Sequence, residues 1–214
     1  MAKSKPITHV LMVLDRSGSM WSLAEDVRGG FNEYMKGLSL DTKNDYRVSV
    51  TLFSTEYRQL CENAPLDDVP VLDSTNYQTW GNTALYDAVG KTITEFKTVL
   101  GKRDKVLMVI QTDGKENSSR EFNASQVGSM IKAYEATGNW SFLYLGQGLD
   151  TWDQAARMGV SMDSYVNTRH DPNGVLRTYE ALTIGTVALA TGGASVKDLA
   201  DEVRAKAGKE PEAK

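Results

Sequence analysis

Five residues with oxygen-bearing side chains are spaced in the sequence so that they could bind a metal ion together. They comprise two carboxylates and three hydroxyls: Asp15, Ser17, Ser19, Thr83 and Asp113. Oxygen ligands select hard cations, and Mg²⁺ keeps several waters and needs only one or two carboxylates. Two carboxylates would nearly neutralise Mg²⁺ and leave it electrophilic enough to take a carboxylate from another molecule. Gly18, between the two serines, lets the backbone bend so that both hydroxyls face one point.

Other metal-binding side chains are scarce in the sequence. Cys61 is the only cysteine, which excludes an intrachain disulfide and a thiolate cluster. The two histidines, His9 and His170, are too isolated for a histidine-rich site, and we interpret them as a strand-entrance residue and a solvated turn residue. Any metal must therefore be held by oxygen ligands.

The five side chains can meet only if the segments that carry them lie at the same edge of a sheet. Three largely apolar runs are typical of strands buried on both faces of a parallel sheet: His9–Leu14, Lys105–Gln111 and Trp140–Leu145. Asp15 follows the first run, Asp113 follows the second, and Thr83 opens the helix that leads into the second. Because open α/β sheets bind ligands outside the carboxyl ends of their strands, we expect one shared site there.

The segments between and after these strands have the apolar periodicity of helices. A helix with an apolar face is predicted after the first strand, with Ser22 and Glu25 as its capping box. Another is predicted over Ala84–Leu100, ending at Gly101 as its C′ glycine. Further helices are predicted over 126–137, 151–158, 175–190 and 196–205, the last two being separated by Gly192-Gly193.

The remaining elements complete an α/β fold. Arg47–Phe53 and Tyr57–Cys61 predict a hairpin, 63–79 a surface loop, Tyr165–Asn167 an edge strand and 171–174 a turn. The order of elements predicts a doubly wound, mostly parallel sheet with one antiparallel edge strand and helices on both faces.

Length and composition indicate a single globular domain. The 214 residues are 41% hydrophobic and 24% charged, and we assign 1–205 to one domain and 206–214 to a flexible charged tail. A net charge of −4 without a basic run argues against nucleic acid as a partner. The purely apolar runs at Val10–Leu14 and Val106–Ile110 are too short to span a membrane, and Asp15-Arg16 interrupts any signal-peptide core. We therefore expect a cytoplasmic protein.

The site residues resemble the metal-ion-dependent adhesion site (MIDAS) of the von Willebrand factor A family. The family pattern is D-x-S-x-S, then a threonine, then an aspartate. The matching residues are Asp15, Ser17 and Ser19, Thr83 in Gly-Asn-Thr-Ala-Leu-Tyr-Asp, and Asp113 in Thr-Asp-Gly. By element order the resemblance covers about 7–190. It implies the Rossmann-like fold of that family.

The resemblance also implies a ligand set and a partner. Mg²⁺, or Mn²⁺ as an alternative, would be held by the three hydroxyls, with the two aspartates acting largely through water. A protein partner would supply a glutamate or aspartate. The most familiar family members are extracellular, whereas this chain looks like the stand-alone bacterial or phage forms, and a phage-encoded copy would belong to the virion.

Three functions are compatible with these residues. The first is a metal-dependent protein-binding module. The second is a scaffold or virion assembly protein whose metal is structural, and the third is a metal-dependent phosphoester hydrolase. We rank the hydrolase last and predict no enzyme activity, because a phosphatase-like nucleophile at Asp15 would normally have a second acid two residues later, where Ser17 stands.

Two tryptophans adjoin the predicted metal loops. Trp21 follows the D-x-S-x-S segment, and Trp80 precedes Gly81-Asn82-Thr83. They either cover the core beneath the loops or form an aromatic rim around the metal, since aromatic residues are enriched where partners dock. Of the two alternatives we prefer the covering role.

Overall fold

A six-stranded sheet lies between two layers of helices in the computed structural model, which describes residues 5–96, 98, 100–147, 151–168 and 172–207. The strands are β1 (Ile7–Asp15), β2 (Asp45–Phe53), β3 (Tyr57–Pro65), β4 (Lys105–Thr112), β5 (Trp140–Gln147) and β6 (Tyr165–Thr168). The α-helices are α1 (Ala24–Ser39), α2 (Leu85–Glu95), α3 (Ala124–Glu135), α4 (Thr151–Arg157), α5 (Pro172–Thr191) and α6 (Val196–Ala207). Short 3₁₀ segments occur at Gly18–Leu23, Leu66–Asp68 and Met162–Ser164.

The sheet has the strand order β3-β2-β1-β4-β5-β6. Only the pairing of β2 with β3 is antiparallel among the described strands. The chain winds outward from β1 in one direction and from β4 in the other, so the carboxyl ends of these neighbours form the switch point at which such sheets bind ligands. The predicted fold class is confirmed.

Alternation along the strands divides the core into two halves. In β1, Val10, Met12 and Leu14 pack on the face covered by α1, α5 and α6. Leu11 and Val13 pack on the opposite face, against α2 and its neighbours. Burying each such side chain contributes roughly 1.5–3 kcal/mol, so β1 is a rigid base for the polar loop that follows it.

The helix predicted over Ala84–Leu100 is shorter in the structure. It ends at Glu95, and Phe96 adopts an extended backbone with φ −69° and ψ 94°. The Phe96 ring packs edge-on against the rings of His9 at 5.5 Å and Trp140 at 5.3 Å. Gly101 therefore does not end α2, because burial of the Phe96 ring takes the chain out of the helix first.

Most other boundaries differ from the sequence prediction by one or two residues, and three differences change an assigned cap, loop or turn. The N-cap residue of α1 is Leu23, without a side-chain cap, because the preceding 3₁₀ segment runs through Ser22. Strand β3 continues to Pro65, past irregular pairing with β2 and past Asn63, which has a φ of 45°. Helix α5 begins at Pro172, inside the predicted turn, since proline suits a first helical position.

Some predictions fall outside the described residues. His170 and most of the predicted tail, 208–214, belong to this group. The assignment of 1–205 to one domain stays a prediction. Within the described part of the chain, no helix combines the length and apolar composition needed to cross a bilayer.

Two adjacent glycines in α1 should respond oppositely to alanine. A β-carbon at Gly30 would lie 2.3 Å from Tyr179 Cδ2 on α5, whereas one at Gly29 would have no neighbour within 4 Å. We expect Gly30→Ala to destabilise the fold by roughly 1–3 kcal/mol through overpacking, and Gly29→Ala to stabilise it by about 0.5–1 kcal/mol through helix propensity. Urea unfolding measures both changes, and equal effects at the two positions would contradict the close packing of α1 on α5.

Candidate metal site

Two backbone hydrogen bonds join the D-x-S-x-S loop to the loop that carries Thr83. The Gly18 N–H donates to the Gly81 carbonyl at 3.0 Å, and the Trp80 N–H donates to the Arg16 carbonyl at 2.8 Å. Gly81 has a φ of +77°, a conformation that suits glycine. The loop that carries Thr83 is thereby fixed beside the loop that carries the two serines.

Asp15 is completely buried at the centre of the site. Its Oδ1 accepts the Ser17 N–H at 2.7 Å, and its Oδ2 accepts the Thr112 hydroxyl at 2.5 Å. Tyr77 donates its hydroxyl to the Asp15 carbonyl at 2.5 Å. These bonds fix the carboxylate against the end of β4, as expected for the switch point of the sheet.

The other predicted ligands surround Asp15. Ser17 Oγ lies 3.1 Å from Ser19 Oγ, and the Ser19 hydroxyl donates to Asp113 Oδ1 at 2.7 Å. The remaining hydroxyl, that of Thr83, lies close to Gly114. A β-carbon there would lie 2.8 Å from Thr83 Oγ1 and 3.5 Å from both Asp15 Oδ2 and Ser19 Oγ. The structure thus brings all five predicted residues into one cluster around Gly114.

Asn117 positions Thr83, a role that the sequence reasoning missed. The Thr83 N–H donates to Asn117 Oδ1 at 2.9 Å, and the Asn117 N–H donates back to the Thr83 carbonyl at 3.0 Å. Thr112 was also missed as the hydroxyl partner of Asp15. Its place beside Asp113 at the end of a strand could have indicated that role, whereas nothing local in the sequence marks Asn117.

The electrostatics of the site favour a bound cation. Burial raises the pKa of Asp15 to about 6, against hydrogen bonds from Thr112 and Ser17 that lower it, and the Asp113 carboxylate raises it further. In the described part of the chain no lysine or arginine forms an ion pair with Asp15. A divalent cation would supply the missing positive charge.

The donor set fits a hard cation. It combines three neutral hydroxyls with two carboxylates, and the space that a β-carbon at Gly114 would enter is bordered by three of these oxygens. Among the described residues, no three or more histidine, cysteine, aspartate or glutamate side chains are grouped so that they could hold a metal ion. Such a cluster would suit a softer or more highly charged site, whereas hydroxyls with few carboxylates suit Mg²⁺.

The two tryptophans beside the loops are at the surface. Trp21 is 78% exposed and Trp80 is 41% exposed. The preferred sequence interpretation, that they cover the core, is wrong for Trp21, because its neighbour Met20 fills that buried position instead. The Trp80 ring lies 5.2 Å from the guanidinium carbon of Arg16, which is buried beneath it. One face of Trp80 is therefore held in place by a cation–π contact.

Comparisons with known proteins identify the fold. No protein-family model and no curated protein matches the sequence. The von Willebrand factor domain of the type V pilus tip protein Mfa5 from Porphyromonas gingivalis matches with a TM-score of 0.67 and 9% identity, over 88% of this chain and 97% of that chain. A von Willebrand factor type A structure from Catenulispora acidiphila matches with a TM-score of 0.60 and 15% identity, over 86% of this chain and 43% of that chain.

A third match has a metal in its site. Proximal thread matrix protein 1 from the mussel byssus, in a structure with a zinc-occupied MIDAS motif, matches with a TM-score of 0.59 and 13% identity, over 84% of this chain and 45% of that chain. This chain thus spans less than half the length of the mussel protein. The sheet order, the helices on both faces and these matches agree. The chain has the von Willebrand factor A fold.

Proposed function

We propose that the chain is a metal-dependent protein-binding module. Mg²⁺ would be held by Ser17, Ser19 and Thr83, with Asp15 and Asp113 acting largely through water. The cation would supply a Lewis-acidic position for an aspartate or glutamate of the partner. The observation that carries this proposal is the convergence of Thr83 Oγ1, Asp15 Oδ2 and Ser19 Oγ on the space beside Gly114.

Each residue of the cluster has a separate role in this proposal. The hydroxyls of Ser17 and Ser19 are neutral, so they would bind the cation without cancelling its charge. Asp15 and Asp113 would balance that charge from opposite loops. Asn117 holds the Thr83 backbone by two hydrogen bonds and would keep its hydroxyl at the metal.

The matched structures support a binding role. They include a pilus tip protein and a byssus matrix protein, and the zinc-occupied motif of the latter supports a divalent cation in the equivalent place here. Two exposed aromatic side chains flank the loops, and we propose that Trp21 and Trp80 form a rim that contacts the partner. A partner would thus meet the metal at the centre and aromatic surface around it.

Capture of a partner with and without Mg²⁺ tests this function. The immobilised chain should retain a protein in Mg²⁺ and release it on addition of EDTA. The Ser17→Ala/Ser19→Ala double variant should not retain it, whereas Ser39→Ala, a change at an exposed α1 residue, should. The acidic residues of the captured protein can then be replaced one at a time by Asn or Gln. One of these substitutions should abolish retention. A protein that remains bound in EDTA would favour the scaffold alternative.

The metal site should prefer Mg²⁺ and Mn²⁺ to Ca²⁺. Ca²⁺ takes 6–8 oxygen ligands and usually more carboxylates, whereas the cluster offers three hydroxyls and two carboxylates. We expect calorimetry to give at least about tenfold weaker binding for Ca²⁺ than for Mg²⁺, or about 1.4 kcal/mol. Tight Ca²⁺ binding without Mg²⁺ binding would show that the ligand set is wrong.

A further inference from the structure

A second polar cavity lies beside the candidate metal site. It encloses about 190 Å³ between the β2–β3 connection, the first turns of α2 and the loop before α3. Its walls include Ser54, Ala84 and Ser118. Ala84 directly follows Thr83, and Ser118 follows Asn117, which holds Thr83 in place. The cavity is therefore separated from the metal cluster by the Thr83 segment.

Most charged groups in the walls of this cavity already have partners. Lys91 Nζ lies 2.7 Å from Glu121 Oε1, and Glu56 lies 3.6 Å from the Arg16 guanidinium. The Asp87 carboxylate accepts three backbone N–H groups, at 2.8–2.9 Å, from the segment 120–122. Two of these carboxylates are thus balanced by cations, and the third already accepts three hydrogen bonds from the backbone.

Three donor groups in the same walls have no partner among the described residues. The Arg120 guanidinium has no acidic partner within the described residues. Ser54 is completely buried, and neither its hydroxyl nor the buried Ser118 hydroxyl has a hydrogen-bond partner in the described chain. Buried polar groups normally have hydrogen-bond partners. The Ser54 and Ser118 hydroxyls, in the same walls as the Arg120 guanidinium, are therefore available to a ligand.

We propose that this cavity is an anion site that binds a small carboxylate group. A carboxylate accepts several hydrogen bonds and can take two from one guanidinium, so it matches the donors of Arg120, Ser54 and Ser118. The cavity volume suits a single acidic side chain or a free small carboxylate rather than a nucleotide. The first source would be a second acidic residue of a protein partner, and this part alone rests on the proposed function.

NMR titration of the metal-free protein tests the anion site directly. The protein is passed over a chelating resin, kept without free chelator, and titrated with acetate at constant ionic strength. Acetamide, the neutral analogue, is the control ligand. We expect saturable amide shifts at Ser54, Ser118 and Arg120 with acetate and none with acetamide. Because no metal is present, the result is independent of the proposed metal site.

Matched variants identify the residues responsible. Arg120→Gln should weaken acetate binding at least about fivefold, whereas Arg58→Gln, at an exposed arginine of β3 outside the cavity walls, should leave it unchanged. N-acetylaspartate amide distinguishes the sources: tighter binding than acetate indicates a protein side chain, and weaker binding indicates a free carboxylate. Equal shifts with acetate and acetamide, or equal losses in the two arginine variants, would overturn the proposal.

Discussion

Replacing Asp15 by asparagine should abolish divalent-cation binding and make the metal-free protein more stable than the wild type at neutral pH. The variant removes a buried negative charge that faces Asp113. Asparagine keeps an acceptor for the Ser17 N–H. Its amide can donate to Thr112 Oγ1, whose own proton can turn toward the Gly114 carbonyl at 3.4 Å. Cation binding, which needs the charge, is lost.

The stability gain should depend on pH with a definite sign. Burial raises the pKa of Asp15 from 3.8 to about 6, so between these values the folded chain binds more protons than the unfolded chain and stability falls as pH rises. Above pH 6 the full penalty is present, about 3 kcal/mol. Poorer hydrogen bonds of asparagine reduce the net gain of the variant to about 1–2 kcal/mol.

Urea unfolding of both proteins in EDTA checks this prediction. The stability difference between Asp15→Asn and the wild type should be greatest at pH 7.5 and should shrink or reverse at pH 4.5. Calorimetry with Mg²⁺ should show no heat of binding for the variant. Unchanged Mg²⁺ binding would end the case for a metal site at Asp15, and a pH-independent difference would contradict the buried, unpaired charge.

Gly114→Ala should weaken metal binding strongly while the fold remains intact. The added β-carbon would lie 2.8 Å from Thr83 Oγ1, so the threonine hydroxyl must rotate out of the cluster. The methyl group would also occupy the space bordered by Asp15 and Ser19. We expect at least about tenfold weaker Mg²⁺ binding, or about 1.4 kcal/mol, as measured by calorimetry.

Gly29→Ala is the matched control for this substitution. It adds the same methyl group in open space on α1 and should leave the Mg²⁺ affinity at the wild-type value. Circular dichroism should show folded protein for both variants. If Gly114→Ala binds Mg²⁺ as tightly as Gly29→Ala does, the cation does not occupy the space beside Gly114.

Those parts of the fold that depend on local patterns could be predicted from the sequence. The apolar runs at β1, β4 and β5 predict strands buried on both faces, and their order predicts a doubly wound sheet. The polar segments that begin at Asp15 and Asp113 follow directly from the strand ends. Parallel pairing of β1 with β4 then brings these segments together in the structure.

Features that depend on tertiary contacts could not be predicted. The end of α2 at Glu95 follows from packing of the Phe96 ring against His9 and Trp140, which are distant in sequence. The exposure of Trp21 depends on Met20 entering the core in its place. Periodicity does not reveal either feature. Phe96 continues the apolar face of the predicted helix, and Met20 and Trp21 are both apolar, so the pattern does not show which of them is buried.

The most direct test of the metal site is a crystal structure of the chain grown with Mn²⁺, with anomalous diffraction used to locate the ion. We expect one strong anomalous peak beside Gly114, within a bonding distance of about 2–2.5 Å of the Ser17, Ser19 and Thr83 hydroxyls. Asp15 and Asp113 should reach the ion directly or through water. An anomalous peak at other residues, with none in this cluster, would show that these five residues do not form the metal site.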